Sequence, residues 1–316
     1  MSFRILGTGS RLPSRTVKNC ELSQFLETSD EWISQRVGIR ERRVCTTETT
    51  AELAHKAAEA ALEMSGVKPE ELDMIICATV SADNAAPSLA CTLQSMIGAV
   101  CPSMDINAAC SGFIYALETA AAFFARSAKK ILVVGAERLT NLVDWTDRGT
   151  AVIFGDGAGA MVLGEGTEYL SSKLYARGNE AVLSIPAVAG SSPYYENEQQ
   201  DSYIRMNGQE TFKFAVKAMC TDLTEVVESA GLTMEEITWI IPHQANARII
   251  DASVKRLGIP PEKCLKNIDK IGNTSAASVP ILADELFRSG KLRDGDYIAM
   301  CSFGAGLTSA ACVIKI

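Results

Sequence analysis

Histidine is scarce in this chain, and its cysteines are unpaired in spacing. Two histidines occur, His55 and His243, and none of the 10 cysteines falls in a C-x-x-C pattern. No structural metal site is therefore expected. Long apolar runs are also missing. No segment reaches the roughly 20 residues a membrane helix needs. The N-terminal MSFRILGTGSRLPSRT has neither the apolar core nor the small-residue cleavage site of a secretory signal. Basic excess is absent: 30 Lys and Arg face 38 Asp and Glu, a net charge of −8. That balance disfavours non-specific nucleic-acid binding through overall charge. Nucleotide loops fail as well. GTGSRL (7–12) lacks the third glycine of G-x-G-x-x-G, GDGAGA (155–160) has the wrong spacing, and no G-x-x-x-x-G-K-[ST] occurs. The expectation is a cytoplasmic protein with no membrane, nucleic-acid or dinucleotide partner.

What is present is an internal duplication. SGVKPEELDMII (65–76) aligns with AGLTMEEITWII (230–241), Gly66 on Gly231 and Ile76 on Ile241, an offset of 165 (231 − 66). Amphipathic stretches precede both copies, TAELAHKAAEAALEM and ETFKFAVKAMCTDLTEVVES, so each half reads helix, glycine stop, acidic turn, apolar strand. Further on, AKKILVVGAE (128–137) answers DGDYIAMCSFG (294–304), and the loop carrying Cys110 falls opposite KIGNTSAAS (270–278), with 110 against 275. Alternating strands and helices in two such halves imply an α/β fold with strands between helical layers. The boundary is placed after GDGAGAMVLGEG, giving halves 1–166 and 167–316, with SSPYYENEQQDS (191–202) as the most loop-like part of the second. Related halves packed face to face would assemble one site from the loops near 110, 243, 273 and 303.

Cys110 lies in DINAACSGF, between an apolar strand and a helix that is apolar at Phe113, Ile114, Ala116, Leu117, Ala120, Ala121, Phe123 and Phe124. A thiol is nucleophilic as thiolate, with a reference pKa of about 8.5. A helix N-terminus lowers that value, so this position suits a reactive cysteine. A packed cysteine at a strand–helix turn explains the same features equally well. His243 in WIIPHQAN follows an apolar strand, where a loop side chain can face a site, though a hydrogen-bonded structural histidine would also stand there. Asn273 in GNTSAAS is by itself plain turn chemistry. His55, in ELAHKAAEAAL, reads as a helix-surface residue without a role.

Six segments together carry a resemblance: DEWISQRVGIRERR (30–43), DINAACSGF (105–113), DRGTAVIFGDGAGA (147–160), PHQAN (242–246), GNTSAAS (272–278) and SFGAGLT (302–308). In this order the chain resembles the thiolase-fold condensing enzymes, and within them the β-ketoacyl-[acyl-carrier-protein] synthase III family. The resemblance implies a layered α-β-α-β-α fold and a decarboxylative Claisen condensation through an acyl-Cys110 intermediate. It implies His243 and Asn273 as the groups that hold the charge of decarboxylation, and Phe303, Gly304, Ala305 and Gly306 as an oxyanion loop. It points to Thr28, Trp32, Arg36 and Arg148 for coenzyme A. Lys213, Arg248, Lys255 and Arg256 are expected to meet an acidic carrier protein. For the acyl pocket it implies Met206 and Ala86, the latter reaching across a homodimer interface, and an alanine there suggests room for primers longer or more branched than acetyl. Acyl-CoA and malonyl-acyl carrier protein are substrates and no cofactor is expected. Two rivals stay open: a specialised homologue in secondary metabolism, and a silent subunit that shapes a pocket for an active chain.

Overall fold

The helix Thr50–Ser65 shows how local chemistry sets an element. Thr49 Oγ1 accepts the Glu52 N–H at 3.1 Å while Glu52 returns the bond to the Thr49 N–H at 2.8 Å, a reciprocal cap. The helix stops at Gly66, where φ is +67°. Its alanine face, Ala54, Ala57, Ala58 and Ala61, is fully buried. The counterpart Gly208–Ser229 begins on an Asn207 cap, and the turn that follows it has Gly231 at φ +72°.

These elements belong to a computed structural model that describes residues 2–187, 194 and 201–316. Most of the 191–202 stretch lies outside the described residues. The first sheet runs, edge to edge, Ser2–Arg11, Asp156–Gly166, Lys130–Arg138, Met74–Ala78, Ser103–Ile106. The second runs Tyr169–Ala176, Thr308–Lys315, Tyr297–Gly304, Trp239–Pro242. In both, a parallel pair adjoins antiparallel neighbours: Met74–Ala78 with Lys130–Arg138 in one, Trp239–Pro242 with Tyr297–Gly304 in the other. Even the fifth strand of the first sheet has a trace in the second, a parallel bridge between Ile240 and Cys264.

Between the sheets lie two helices, Gly112–Phe124 and Ser278–Arg288, and the largest core joins them to strands of both sheets. Thr50–Ser65 and Leu89–Ile97 cover the outer face of the first sheet. Gly208–Ser229 and Ala247–Leu257 cover the second. The result is five layers, α-β-α-β-α. A helix covered on nearly all sides must be apolar on nearly all sides, and Phe113, Ile114, Ala116, Leu117, Ala120 and Phe124 are indeed buried. Ala121 and Phe123 stay partly accessible. Among the described residues no helix is long and apolar enough to cross a membrane.

Leu117 is fully buried in that middle layer. Leu117→Ala should lower the unfolding free energy by about 2–5 kcal/mol, the range for leucine truncation in a packed core. Denaturant unfolding measures it, and a loss below about 1 kcal/mol would contradict the layered core.

Candidate active site

The strand Ser103–Ile106 does not pass straight into an α-helix. A 3-10 turn, Ala109–Ser111, intervenes and carries Cys110, and the α-helix begins at Gly112. From the other half a second 3-10 turn, Ser275–Ala277, precedes the helix Ser278–Arg288. Each turn opens on a non-glycine residue in the left-handed region, Ala109 at φ 47° and Ser275 at φ 48°. The structural offset is thus 166 (275 − 109), so Cys110 stands opposite Ala276 rather than Ser275; the sequence register was one residue short.

Two glycines permit this closeness. A Cβ on Gly135 would lie 2.5 Å from the Ala276 carbonyl oxygen, so only glycine lets the second turn settle on the strand Lys130–Arg138. A Cβ on Gly304 would lie 2.8 Å from the Cys110 nitrogen. The 303–306 segment therefore presses its backbone directly on the cysteine. The Thr308 hydroxyl fastens it, lying 3.1 Å from the Ala108 carbonyl and 2.9 Å from that of Ala305.

His243 leaves the strand Trp239–Pro242 with its N–H donating to the Cys301 carbonyl at 2.7 Å. Its ring is buried, edge-on to Phe303 at 5.3 Å between centroids. Nδ1 lies 2.6 Å from Ser278 Oγ, and Oγ lies 2.9 Å from the Ser275 carbonyl. Asn273 is tied by backbone bonds to Ile153 and Gly155, and its Oδ1 accepts the Ser275 N–H at 2.8 Å. That bond leaves the amide NH₂ as the free end of a residue that lines the cavity.

Cys110, His243 and Asn273 line one cavity of about 220 Å³, together with Phe303, Gly304, Ala305 and Met206. Three of the four oxyanion-loop residues are thus on the cavity wall; Gly306 lies outside it. Electrostatics corrects one expectation. Burial pushes the Cys110 thiol up to about 12, the charge of Glu137 adding to the rise and a Ser275 hydrogen bond opposing it. Burial likewise drives His243 down to about 3. Both shifts favour the uncharged forms, a thiol and a neutral imidazole, with burial the leading cause of each.

Val37 and Gly149 also line the cavity, and their chain neighbours are Arg36 and Arg148. Both guanidinium groups lie over the Trp32 ring, at 5.8 and 5.3 Å, and Arg148 donates to the Glu27 carbonyl at 2.9 Å. Thr28 follows Glu27, its hydroxyl buried without a hydrogen-bond partner. The four residues expected at coenzyme A thus gather beside the cavity mouth. The basic group is less coherent. Arg248 stacks on Phe212, a cavity wall residue, at 5.8 Å, whereas Lys213 pairs with Glu210 at 2.8 Å. Lys255 and Arg256 occupy the last turn of Ala247–Leu257, where a helix C-terminus favours cations without any ligand. Ala86 is exposed and does not line the cavity of its own chain.

Two residues escaped the sequence reading, Ser275 and Ser278. Both lie in GNTSAAS, and the duplication had already set position 275 against the cysteine.

A five-layered fold with a cysteine turn from one half and a His-Asn pair from the other defines a condensing enzyme of the thiolase class. Residues 104–178 match the family described as 3-oxoacyl-[acyl-carrier-protein (ACP)] synthase III, and 227–316 match its C-terminal counterpart. The β-ketoacyl-[acyl-carrier-protein] synthase III of Clostridium acetobutylicum is 45% identical over 99% of this chain and 98% of its own. The crystal structure of 3-oxoacyl-[acyl-carrier-protein] synthase III from Aquifex aeolicus superposes with a TM-score of 0.93 at 44% identity, covering 99% and 100%. A priming β-ketosynthase from the R1128 polyketide pathway gives 0.93 at 35% identity, covering 100% and 96%. The chain belongs to the β-ketoacyl-[acyl-carrier-protein] synthase III family.

Ser278 has one hydroxyl proton and two acceptors. With that proton on the Ser275 carbonyl, His243 Nδ1 is the protonated nitrogen and Nε2 is bare; with it on Nδ1, Nε2 becomes a donor. Ser278→Ala removes the choice. Decarboxylation of a malonyl thioester should slow about tenfold, the equivalent of one lost hydrogen bond of about 1.4 kcal/mol. An unchanged rate in a radiolabelled-CO₂ assay would contradict the assignment.

Proposed function

We propose that this chain condenses an acyl-CoA primer with malonyl-acyl carrier protein, giving 3-oxoacyl-acyl carrier protein, coenzyme A and CO₂. The observation that carries the reading is the single cavity shared by Cys110, His243 and Asn273, with Trp32, Arg36 and Arg148 beside its mouth.

The acyl-CoA enters past Trp32, with the two arginines facing its phosphates and adenine. Cys110 sulfur attacks the thioester carbon, and the oxyanion that forms is stabilised by backbone N–H groups where the 303–306 segment meets Cys110. Coenzyme A departs and leaves an acyl-cysteine. Malonyl-acyl carrier protein follows. Loss of CO₂ places negative charge on its thioester oxygen, which Asn273 NH₂ and His243 Nε2 hold in a water-poor cavity. The resulting carbanion attacks the acyl-cysteine and Cys110 leaves as the new bond forms. Acyl transfer, decarboxylation and condensation thus share one site, assembled from the halves 1–166 and 167–316, and the chemistry closes without a resident cofactor. The reading includes a cytoplasmic homodimer in which Ala86 of one protomer completes the acyl pocket of the other, and carrier docking beside Arg248. The likeness to the R1128 enzyme keeps a specialised primer or acceptor as the second reading.

Intact-mass analysis after incubation with acetyl-, isobutyryl- and octanoyl-CoA should show one acyl increment, absent from Cys110→Ala. His243→Ala and Asn273→Ala should each keep the acyl increment and lose roughly 10²-fold in decarboxylation, the scale of a deleted oxyanion donor. Turnover with malonyl-acyl carrier protein but not malonyl-CoA favours the primary reading; the reverse favours the specialised one. An adduct that persists in Cys110→Ala sinks both.

A further inference from the structure

Glu137 is an acid at the end of an otherwise apolar strand, KILVVGAE, and it is completely buried. One carboxylate oxygen, Oε2, takes the Val80 N–H at 3.1 Å, the Thr79 hydroxyl at 3.3 Å and the Ser81 hydroxyl. The other, Oε1, is buried and makes no hydrogen bond of regular geometry. The Ser275 side chain interacts with this carboxylate on one side and with the Cys110 side chain on the other. A buried acid with three donors on one oxygen and none on the other has a spare acceptor, and the turn Ser275–Ala277 lies against its strand, where a Cβ on Gly135 would come within 2.5 Å of the Ala276 carbonyl oxygen. Ser275 and Cys110 line the same cavity.

We propose that Ser275 and Glu137 form a relay that takes the Cys110 proton during acyl transfer. The inference rests on the function proposed above. As sulfur bonds to the thioester carbon, the S–H proton passes to Ser275 Oγ and the Ser275 hydroxyl proton passes to Glu137 Oε1. The C–S bond to coenzyme A then breaks, and the departing thiolate recovers the proton by the same route, leaving Glu137 ionised. Ser275 contacts the reacting atom; Glu137 acts through it as a positioning residue for the proton.

Desolvation supports the assignment, since burial raises Glu137 to about 7, where an acid exchanges protons most readily at neutral pH. The groups acting most strongly on it besides burial are neutral: Ser81, Val80, Ser275 and Thr79. Charges on the surrounding elements are engaged elsewhere. Arg138 turns to Asp83 at 3.5 Å; Asp156 accepts from Cys45 and Thr140; Asp284 accepts from Thr8, Ser10 and Arg288; Glu118 accepts from Tyr169 and Ser172. The imidazole of His243, at about 3, is too weak a base to compete.

The test measures two rates against pH on the full-length protein: single-turnover acylation by acetyl-CoA, and alkylation of Cys110 by iodoacetamide, followed on its own peptide by mass. In the unaltered protein both should rise through about pH 7 as Glu137 ionises. Glu137→Gln should flatten both profiles and slow acylation about 100-fold at pH 8, the lower range for a lost general base. Glu137→Asp should regain part of the rise. Ser275→Ala keeps the backbone bonds to Asn273 and Ser278 and should flatten the profiles equally, deciding the matter alone if Glu137→Gln fails to fold. Profiles that keep the rise at pH 7 in these variants overturn the relay, as does an equal fold-loss in acylation and in malonyl decarboxylation. Absence of any acyl adduct alongside a Glu137-dependent alkylation profile would instead overturn the proposed function and the acyl-transfer step, leaving Ser275 and Glu137 only as the acceptors of the Cys110 proton.

Discussion

Two 3-10 turns, Ala109–Ser111 and Ser275–Ala277, press against each other at the N-terminal ends of the two central helices. Each begins with a residue at positive φ, a conformation that costs a non-glycine residue about 1–2 kcal/mol. Such strain persists only where the surroundings fix it. Here they do so from several directions: Gly135 admits the second turn onto a strand, Gly304 admits the 303–306 backbone onto the first, and Thr308 ties that backbone to the first turn. Loosen that contact and Cys110 loses its neighbours from the other half at once. The rest of the architecture, two sheets and three helical layers, serves to hold this meeting point dry and rigid.

Dryness has a consequence for the chemistry. Taking a thiol and an imidazole out of water favours the neutral form of each, so Cys110 rises and His243 falls. A site built on a resting thiolate–imidazolium pair would need a compensating charge nearby, and the charge that acts on Cys110, Glu137, has the wrong sign. Hydroxyl groups fill the gap. Ser278 stands between His243 and a carbonyl, and Ser275 between Cys110 and a carboxylate. Each is a neutral group that can donate in one direction and accept from another, at no cost in buried charge. Low dielectric then becomes an advantage, because a donor fixed in such surroundings stabilises developing charge more strongly than water does.

Much of this was legible beforehand. The repeat around Gly66 and Gly231 gave the halves their matching order, and the apolar run after Cys110 marked a helix covered on both sides. The six motifs named the family. Other features were hidden for physical reasons. A helix start after Cys110 suggested a lowered thiol pKa, yet burial depth, which no local pattern reports, reversed the sign. The register slipped by one because the second half gains a residue between the aligned strands, offset 165 (241 − 76), and the turns, offset 166 (275 − 109), which are themselves equal in length. Glu137 looked like the polar end of a strand, since its partners Thr79, Val80, Ser81 and Ser275 come from other segments. Ala86 is exposed on this chain, and its expected place in an acyl pocket belongs to the homodimer proposed above.

The carrier docking proposed above sets a separate constraint on a chain of net charge −8. At physiological salt, fields fade over about 8 Å, so the overall repulsion is screened and only charges close to the docking point matter. Arg248 meets that condition, because its stack on Phe212 fixes it against the cavity wall. Lys255 lies seven residues further along the same helix, roughly 10 Å by the rise of an α-helix. It therefore sits beyond the screening length from the mouth. Lys213 is partly neutralised by Glu210. The four cations are thus unequal: Lys213 is paired, Lys255 and Arg256 lie in the far turn of the helix, and Arg248 alone of the four stacks on a cavity wall residue, which is why the proposed docking is placed beside it.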